Sequence, residues 1–97
     1  RVDVVFCGHN HFYQRSWPLR AGTVVSRRPS QYRAGLGTIY CVAGGGGAPL
    51  YSPEPAPFVA ASSQACHHVL VRCAGGRLEC TAIDVEGREI DRFVIVK

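Results

Sequence analysis

Methionine is absent, asparagine occurs once, at Asn10, and no acidic residue lies between Asp3 and Glu54. The acid-free window holds Arg15, Arg20, Arg27, Arg28 and Arg33. It is therefore electropositive and would favour an anionic ligand such as phosphate, although a solvated basic loop is the plainer alternative. These arginines are not interleaved with aromatics, and no motif of the known nucleic-acid modules is present, so no nucleic acid is expected. No apolar run approaches the roughly 18–20 residues of a membrane-spanning helix, and no signal-peptide pattern opens the chain. Five cysteines occur without a single C-x-x-C pair, which argues against a zinc ribbon and a dithiol redox motif. No amphipathic helix of useful length can be traced. With Arg1 placed almost inside a strand, the 97 residues read as a piece of a longer chain.

What is present is β-pattern and turn chemistry. Val2–Cys7 is nearly continuous in apolar residues, as expected of a strand buried on both faces. Phe12 to Leu19 leaves that strand, with Trp17-Pro18 as an extended exit. Gly22 to Ser26 could form a short strand, and Arg27 to Gly35 reads as a polar loop. Thr38–Ala43 is a second buried-type strand, rich in β-branched and aromatic residues. It runs into Gly44-Gly45-Gly46-Gly47, which predicts a close backbone approach more than a linker, because apolar Ala48-Pro49-Leu50-Tyr51 comes directly after it. Pro49, Pro53, Pro55 and Pro57 then specify an extended loop.

From His67 onward the pattern predicts a β-meander. A hairpin tip at Gly75-Gly76 pairs Cys73 with Leu78, Val71 with Cys80 and Val69 with Ala82 on one face. The opposite face pairs Arg72 with Glu79 as a cross-strand charge pair, and Leu70 with Thr81. A second turn at Glu86-Gly87 sets Cys80 opposite Phe93 and Leu78 opposite Ile95, so apolar residues land on one face twice. In this register Cys73 and Cys80 lie diagonally, near or beyond the ~7 Å Cα limit for a disulfide. Cys7 and Cys41 read as small core residues. His67 and His68 open the meander, where a structural or solvent-facing role is the usual one for histidine.

Chemically the centre is Gly8-His9-Asn10-His11, at the end of the first strand. On an extended backbone His9 and His11 point the same way and Asn10 the other. Neutral imidazole ligates zinc, iron and similar metals, but two histidines cannot fill a coordination sphere. The chain has three aspartates, none near the pair in sequence, so further ligands would come from elsewhere. Two local alternatives stand beside this reading. Cys7, His9 and His11 at i, i+2 and i+4 could hold a single zinc, or both histidines could simply hydrogen-bond within a loop.

The stretch Gly8-His9-Asn10-His11-Phe12-Tyr13-Gln14-Arg15 resembles the last metal-binding motif of the calcineurin-like metallophosphoesterases, closest to the purple acid phosphatase form Gly-His-x-His-x-Tyr-Glu-Arg. The segment from Gly37 to Tyr51 and the meander from Cys66 to Val96 resemble the strand, glycine-rich segment and meander downstream of the motif in that branch. The resemblance implies an α/β family fold, a four-layer αββα sandwich. Residues 1–97 would be its mostly β C-terminal portion, a buried strand plus a β-meander. It further implies a binuclear centre of two divalent or mixed-valence ions, iron with zinc or manganese, hydrolysing a phosphate ester through a metal-activated hydroxide. By the same resemblance His11 would ligate the first ion, iron in this branch, and His9 the second, divalent one. Arg15 is the candidate substrate-binding residue, and Gln14 departs from the Glu of the pattern. The family's earlier motifs are absent, so the missing N-terminal part of the domain is the implied partner and the chain alone is expected to be inactive. A basic β-rich module for an anionic partner is the alternative of a different class.

Overall fold

The structure is a computed structural model that describes residues 2–97, and among them it contains ten strands and no helix. The chain is mostly β, as expected. Its first sheet is built from β1 (Val4–Cys7), β2 (Tyr13–Ser16), β6 (Ile39–Ala43) and β7 (Val59–Ser63), in the order β1-β6-β2-β7. β1 runs parallel to β6, whereas β2 lies antiparallel to both β6 and β7. The second sheet holds β5 (Gln31–Arg33), β8 (His67–Ala74), β9 (Arg77–Asp84) and β10 (Glu89–Val96), in the order β5-β10-β9-β8. Between β2 and β5, β3 (Leu19–Arg20) and β4 (Thr23–Val24) form a small hairpin.

The meander has the register read from its alternation. Cys73 faces Leu78, Val71 faces Cys80, Val69 faces Ala82, and beyond the second turn Cys80 faces Phe93 and Leu78 faces Ile95. Gly75 and Gly76 both have positive φ, 56° and 76°, the backbone that a two-residue turn matching strand twist demands. Arg72 does sit opposite Glu79, but the carboxylate is taken by Arg92 at 2.6 Å and Arg77 at 3.5 Å instead. All five cysteines are free thiols.

Both sheets contribute to one interior. Ile39 from β6 packs with Tyr32, Cys80, Phe93 and Ile95 of the second sheet, and beside them Tyr13 and Cys41 pack with Ala82. The sheets thus face each other with alternate side chains turned inward.

Three expectations change. Within residues 2–97 β1 is the edge strand of its sheet, with Val4 and Val5 half-buried, Phe6 42% exposed and Cys7 exposed, so these residues alone do not enclose its apolar run. Its neighbour β6 is enclosed on one face: Ile39 and Cys41 are almost fully buried, while Tyr40 between them is 47% exposed. Hydrophobic content alone does not distinguish a central strand from an edge, because that depends on what lies beyond it. The polar loop from Arg27 to Gly35 contains β5, which Tyr32 secures by burying its ring while Gln31 and Arg33 stay exposed. Finally, Phe12 to Leu19 does not simply exit; it turns back as β2 and fills the space between β6 and β7.

Candidate metal centre

The backbone after β1 is not extended. His9 adopts a left-handed conformation, φ 75°, and Asn10 N–H donates to the Gly8 carbonyl at 3.0 Å, a γ-turn of the rare positive-φ kind. Phe12 N–H donates to the Asn10 carbonyl at 2.9 Å, closing a second tight turn around His11. The parity argument for two co-directed imidazoles therefore does not hold, since it required an extended chain. A non-glycine residue in this region costs about 1–3 kcal/mol, and such strain concentrates at functional sites.

His9 is exposed and His11 half-buried. His11 Nδ1 lies 2.7 Å from the Pro49 carbonyl oxygen. That oxygen only accepts, so Nδ1 carries the proton and donates, and in the neutral ring Nε2 keeps its lone pair free. The ring is clamped by stacking on Tyr51, with centroids 4.2 Å apart and planes 17° from parallel. A ring oriented through one nitrogen and presenting the other is how metal-ligating histidines are usually held. Among the described residues, no three His, Cys, Asp or Glu side chains gather as a metal-holding group. Cys7, His9 and His11 therefore do not assemble the single-zinc site that their spacing allowed.

The glycine run makes the close approach expected of it at two of its four positions. A β-carbon on Gly44 would run into the Asn10 carbonyl, and one on Gly45 would lie 2.5 Å from His67 Nδ1 and 2.6 Å from the Ala65 carbonyl. Gly46 and Gly47 face open space. Gly44 also donates its N–H to the Phe12 carbonyl at 3.1 Å, so the run is wedged directly beneath the histidine turn.

Arg15 is the correction at the site. It is only 2% exposed, and its guanidinium grips Asp91 of β10 through Nε at 2.6 Å and Nη2 at 3.1 Å. Nη1 donates to the Tyr32 hydroxyl at 2.8 Å and Nη2 to the Pro29 carbonyl at 3.2 Å, while the guanidinium carbon sits 5.1 Å from the Phe93 ring centre. A buried guanidinium committed to a carboxylate in this way does not meet substrate; it is a latch between the sheets. Tyr13 joins it, donating its hydroxyl to the same Asp91 oxygen at 2.5 Å. Burial raises the Tyr13 phenol far above its ordinary range. Burial alone would lower Arg15, but the hydrogen bond and charge of Asp91 outweigh it and hold the guanidinium above its usual value. Burial also pushes the neighbouring Cys41 thiol up to about 11. Gln14, on the opposite side of β2, donates to the Glu54 carbonyl at 3.0 Å.

Within the basic stretch Arg28 and Arg33 line one cleft with Lys97, and the other arginines are engaged elsewhere. Arg15 is inside, Arg20 donates to the Gly35 carbonyl, and Arg27 lies 4.7 Å over the Trp17 ring while donating to the Pro57 carbonyl.

The sequence reading passes over Asp91, and gives His67 only a structural or solvent-facing role. A signal for Asp91 exists: continuing the inward alternation of Ile95 and Phe93 places a carboxylate in the interior, which calls for a buried cation. His67 is 8% exposed, meets the Tyr13 ring edge-on at 5.4 Å, and donates from Nδ1 to the Ala65 carbonyl at 2.8 Å. Its Nε2 is buried without a hydrogen-bond partner among the described residues.

Comparison with known proteins gives a consistent picture. No family model matches the chain. A probable inactive purple acid phosphatase of Arabidopsis thaliana is 47% identical over 51 residues, 52% of this chain and 8% of that protein. A nucleotide pyrophosphatase/phosphodiesterase of Hordeum vulgare is 43% identical over 53 residues, 54% of this chain and 14% of that protein. The solved structure of a purple acid phosphatase from yellow lupin (Lupinus luteus) seeds superposes with a TM-score of 0.89 at 27% identity, covering 98% of this chain and 18% of the lupin chain. The chain thus spans a small part of each relative. In sequence and in fold, it matches the β-rich C-terminal part of a purple acid phosphatase.

Proposed function

We propose that this chain forms one lip of the binuclear metal site of a calcineurin-like phosphoesterase, with His9 and His11 as two of its ligands. The observation that carries this is His11: its Nδ1–H is spent on the Pro49 carbonyl, Tyr51 clamps the ring, and Nε2 is left free. The donor set fits the group as far as it goes, since two imidazoles suit iron paired with zinc or manganese. When bound, two such ions would supply a nucleophile at neutral pH and countercharge for the phosphoryl oxygens of a phosphate ester.

The work of this chain's own residues is orientation. The γ-turn presents His9 outward, Pro49 and Tyr51 fix His11, and the Asp91 latch holds β2 immediately behind them. The remaining ligands, carboxylates above all, would come from the rest of the domain, so the chain alone is inactive. His9→Ala and His11→Ala in the full-length protein test this. Each should lower metal content and reduce phosphate-ester turnover by at least about tenfold, as even loss of an outer-shell partner does. Normal metal content in both variants overturns the assignment. Metal content is the primary readout, because one relative is named as a probable inactive phosphatase.

A further inference from the structure

The β5–β10 pair carries a charged feature that the histidine turn does not use. Along β5 Gln31 is exposed, Tyr32 buried and Arg33 exposed, so Gln31 and Arg33 share the face turned away from the core. Parallel pairing sets Arg33 beside Val96, and Lys97 follows directly. With Arg28 from the preceding loop, these residues border a cleft of about 260 Å³. Every charged side chain that lines it is positive, Arg28, Arg33 and Lys97, and no Asp or Glu does. Arg15, Arg20 and Arg27 each spend their guanidinium on an acceptor within the chain. Arg28 instead bonds only through its backbone, N–H to the Ser26 hydroxyl and carbonyl from the Tyr32 hydroxyl. Outside the strand pairing Arg33 bonds only through its carbonyl, which accepts from Leu36 N–H. Among the described residues neither guanidinium has a partner.

The walls are fixed before any ligand arrives. The Tyr32 hydroxyl accepts from Arg15 Nη1 at 2.8 Å and donates to the Arg28 carbonyl at 2.7 Å, which ties the loop to the buried latch. Ala34 N–H donates to the Val96 carbonyl and Lys97 N–H to the Gly76 carbonyl, both at 2.8 Å. Two unpartnered guanidiniums bordering one concavity repel each other unless an anion lies between them, and their forked donors match the oxygens of a phosphate-type group. Size and lining narrow the class further. Pockets for drug-sized ligands begin at about 300 Å³. Tyr32 is the only aromatic residue lining the cleft and is 3% exposed, so no ring face is offered to a base. We propose that the Arg28–Arg33 cleft binds a small tetrahedral oxyanion, a phosphate or sulfate dianion, with the Gln31 amide as a further donor. The metal reading above is not needed for this, because no residue of the histidine turn lines the cleft.

The test uses the full-length protein with Arg28→Gln, Arg33→Gln and, as control, Arg72→Gln, an exposed arginine of β8 that lines no part of the cleft. Inorganic phosphate and sulfate are titrated by calorimetry at an ionic strength held constant with chloride, so that general screening is the same throughout. A His11→Ala background separates the cleft from anion binding at the histidine turn. Either cleft variant should weaken phosphate and sulfate about tenfold, the worth of one charge-assisted hydrogen bond, and the loss should be the same in the His11→Ala background. Arg33→Lys should recover only part of it, because the charge returns without the fork. Phosphate binding that vanishes in His11→Ala and is untouched by Arg28→Gln and Arg33→Gln overturns the proposal. So does an equal loss in Arg72→Gln, which would make the cleft part of a diffuse basic surface. If the full-length protein holds no metal, yet phosphate binding falls on Arg33→Gln, the cleft stands and the metal assignment falls.

Discussion

The two ends of the Gly8-to-Ser16 motif occupy opposite environments although only Phe12 separates them. At one end His9 and His11 sit on a doubly kinked, largely exposed turn, with His9 in a strained backbone conformation. At the other, Tyr13 and Arg15 are sealed in the interior and converge on one carboxylate from a strand 76 residues further along. Such strain persists only where the surroundings over-determine it, and the buried end provides that restraint. A motif that reads as one block of chemistry is thus half presentation and half anchor.

Breaking the anchor should have the largest effect. Asp91→Ala leaves Arg15 buried and unpaired and strips the Tyr13 hydroxyl of its acceptor, so unfolding free energy should fall by about 3–5 kcal/mol in a denaturant titration. A loss below about 1 kcal/mol, the worth of an exposed pair, would mean that water reaches Arg15 and that the two ends differ less than described.

The next contrast is in pH. The interior holds Cys41 and Cys80, whose thiols burial raises to about 11 and about 12, together with Tyr13. Below about pH 9 these thiols are neutral whether the chain is folded or not. Above it the unfolded chain loses thiol protons that the folded chain retains, so stability declines as pH rises from about 9 towards 11 and 12. Cys80→Ala should flatten that decline in thermal melts taken between about pH 8 and pH 11. An unchanged slope would remove the thiols from the explanation.

Gly44→Ala places a methyl against the Asn10 carbonyl and should destabilise by about 1–3 kcal/mol, the usual range for overpacking. Gly46→Ala, which faces open space, serves as the control and should change little. Similar behaviour of the two variants would show that the glycine run is a linker after all. The smallest effect is also the most diagnostic. His9→Gly should raise stability by about 1 kcal/mol by relieving the positive φ, while removing a proposed ligand. A loss of stability instead would place the histidine ring in contacts that hold the turn.

How far each region can be read from residues obeys the same division. The meander register is legible because neighbouring inward positions, Leu78 with Ile95 and Cys80 with Phe93, must share a face, and paired turn residues set the offset. The histidine motif is legible from its residue types. The turn geometry is not, because i, i+2 parity presumes an extended backbone and nothing local announces that His9 will adopt positive φ. Arg15 misleads for a related reason: a conspicuous arginine beside metal-type histidines suggests substrate, and only the arrival of Asp91 shows that its charge is already spent.

Local chemistry therefore specifies the β character of the chain, the two hairpins with their register, and the close approach at Gly44 and Gly45. Tertiary structure decides that β2 returns between β6 and β7, and that Tyr13 and Arg15 are joined to Asp91. The physical reason is range. Alternation and turn preference act between residues that are neighbours along a strand or across a short hairpin. Burial of a charge or exposure of an edge depends on which distant strand packs beside it, and no local pattern encodes that.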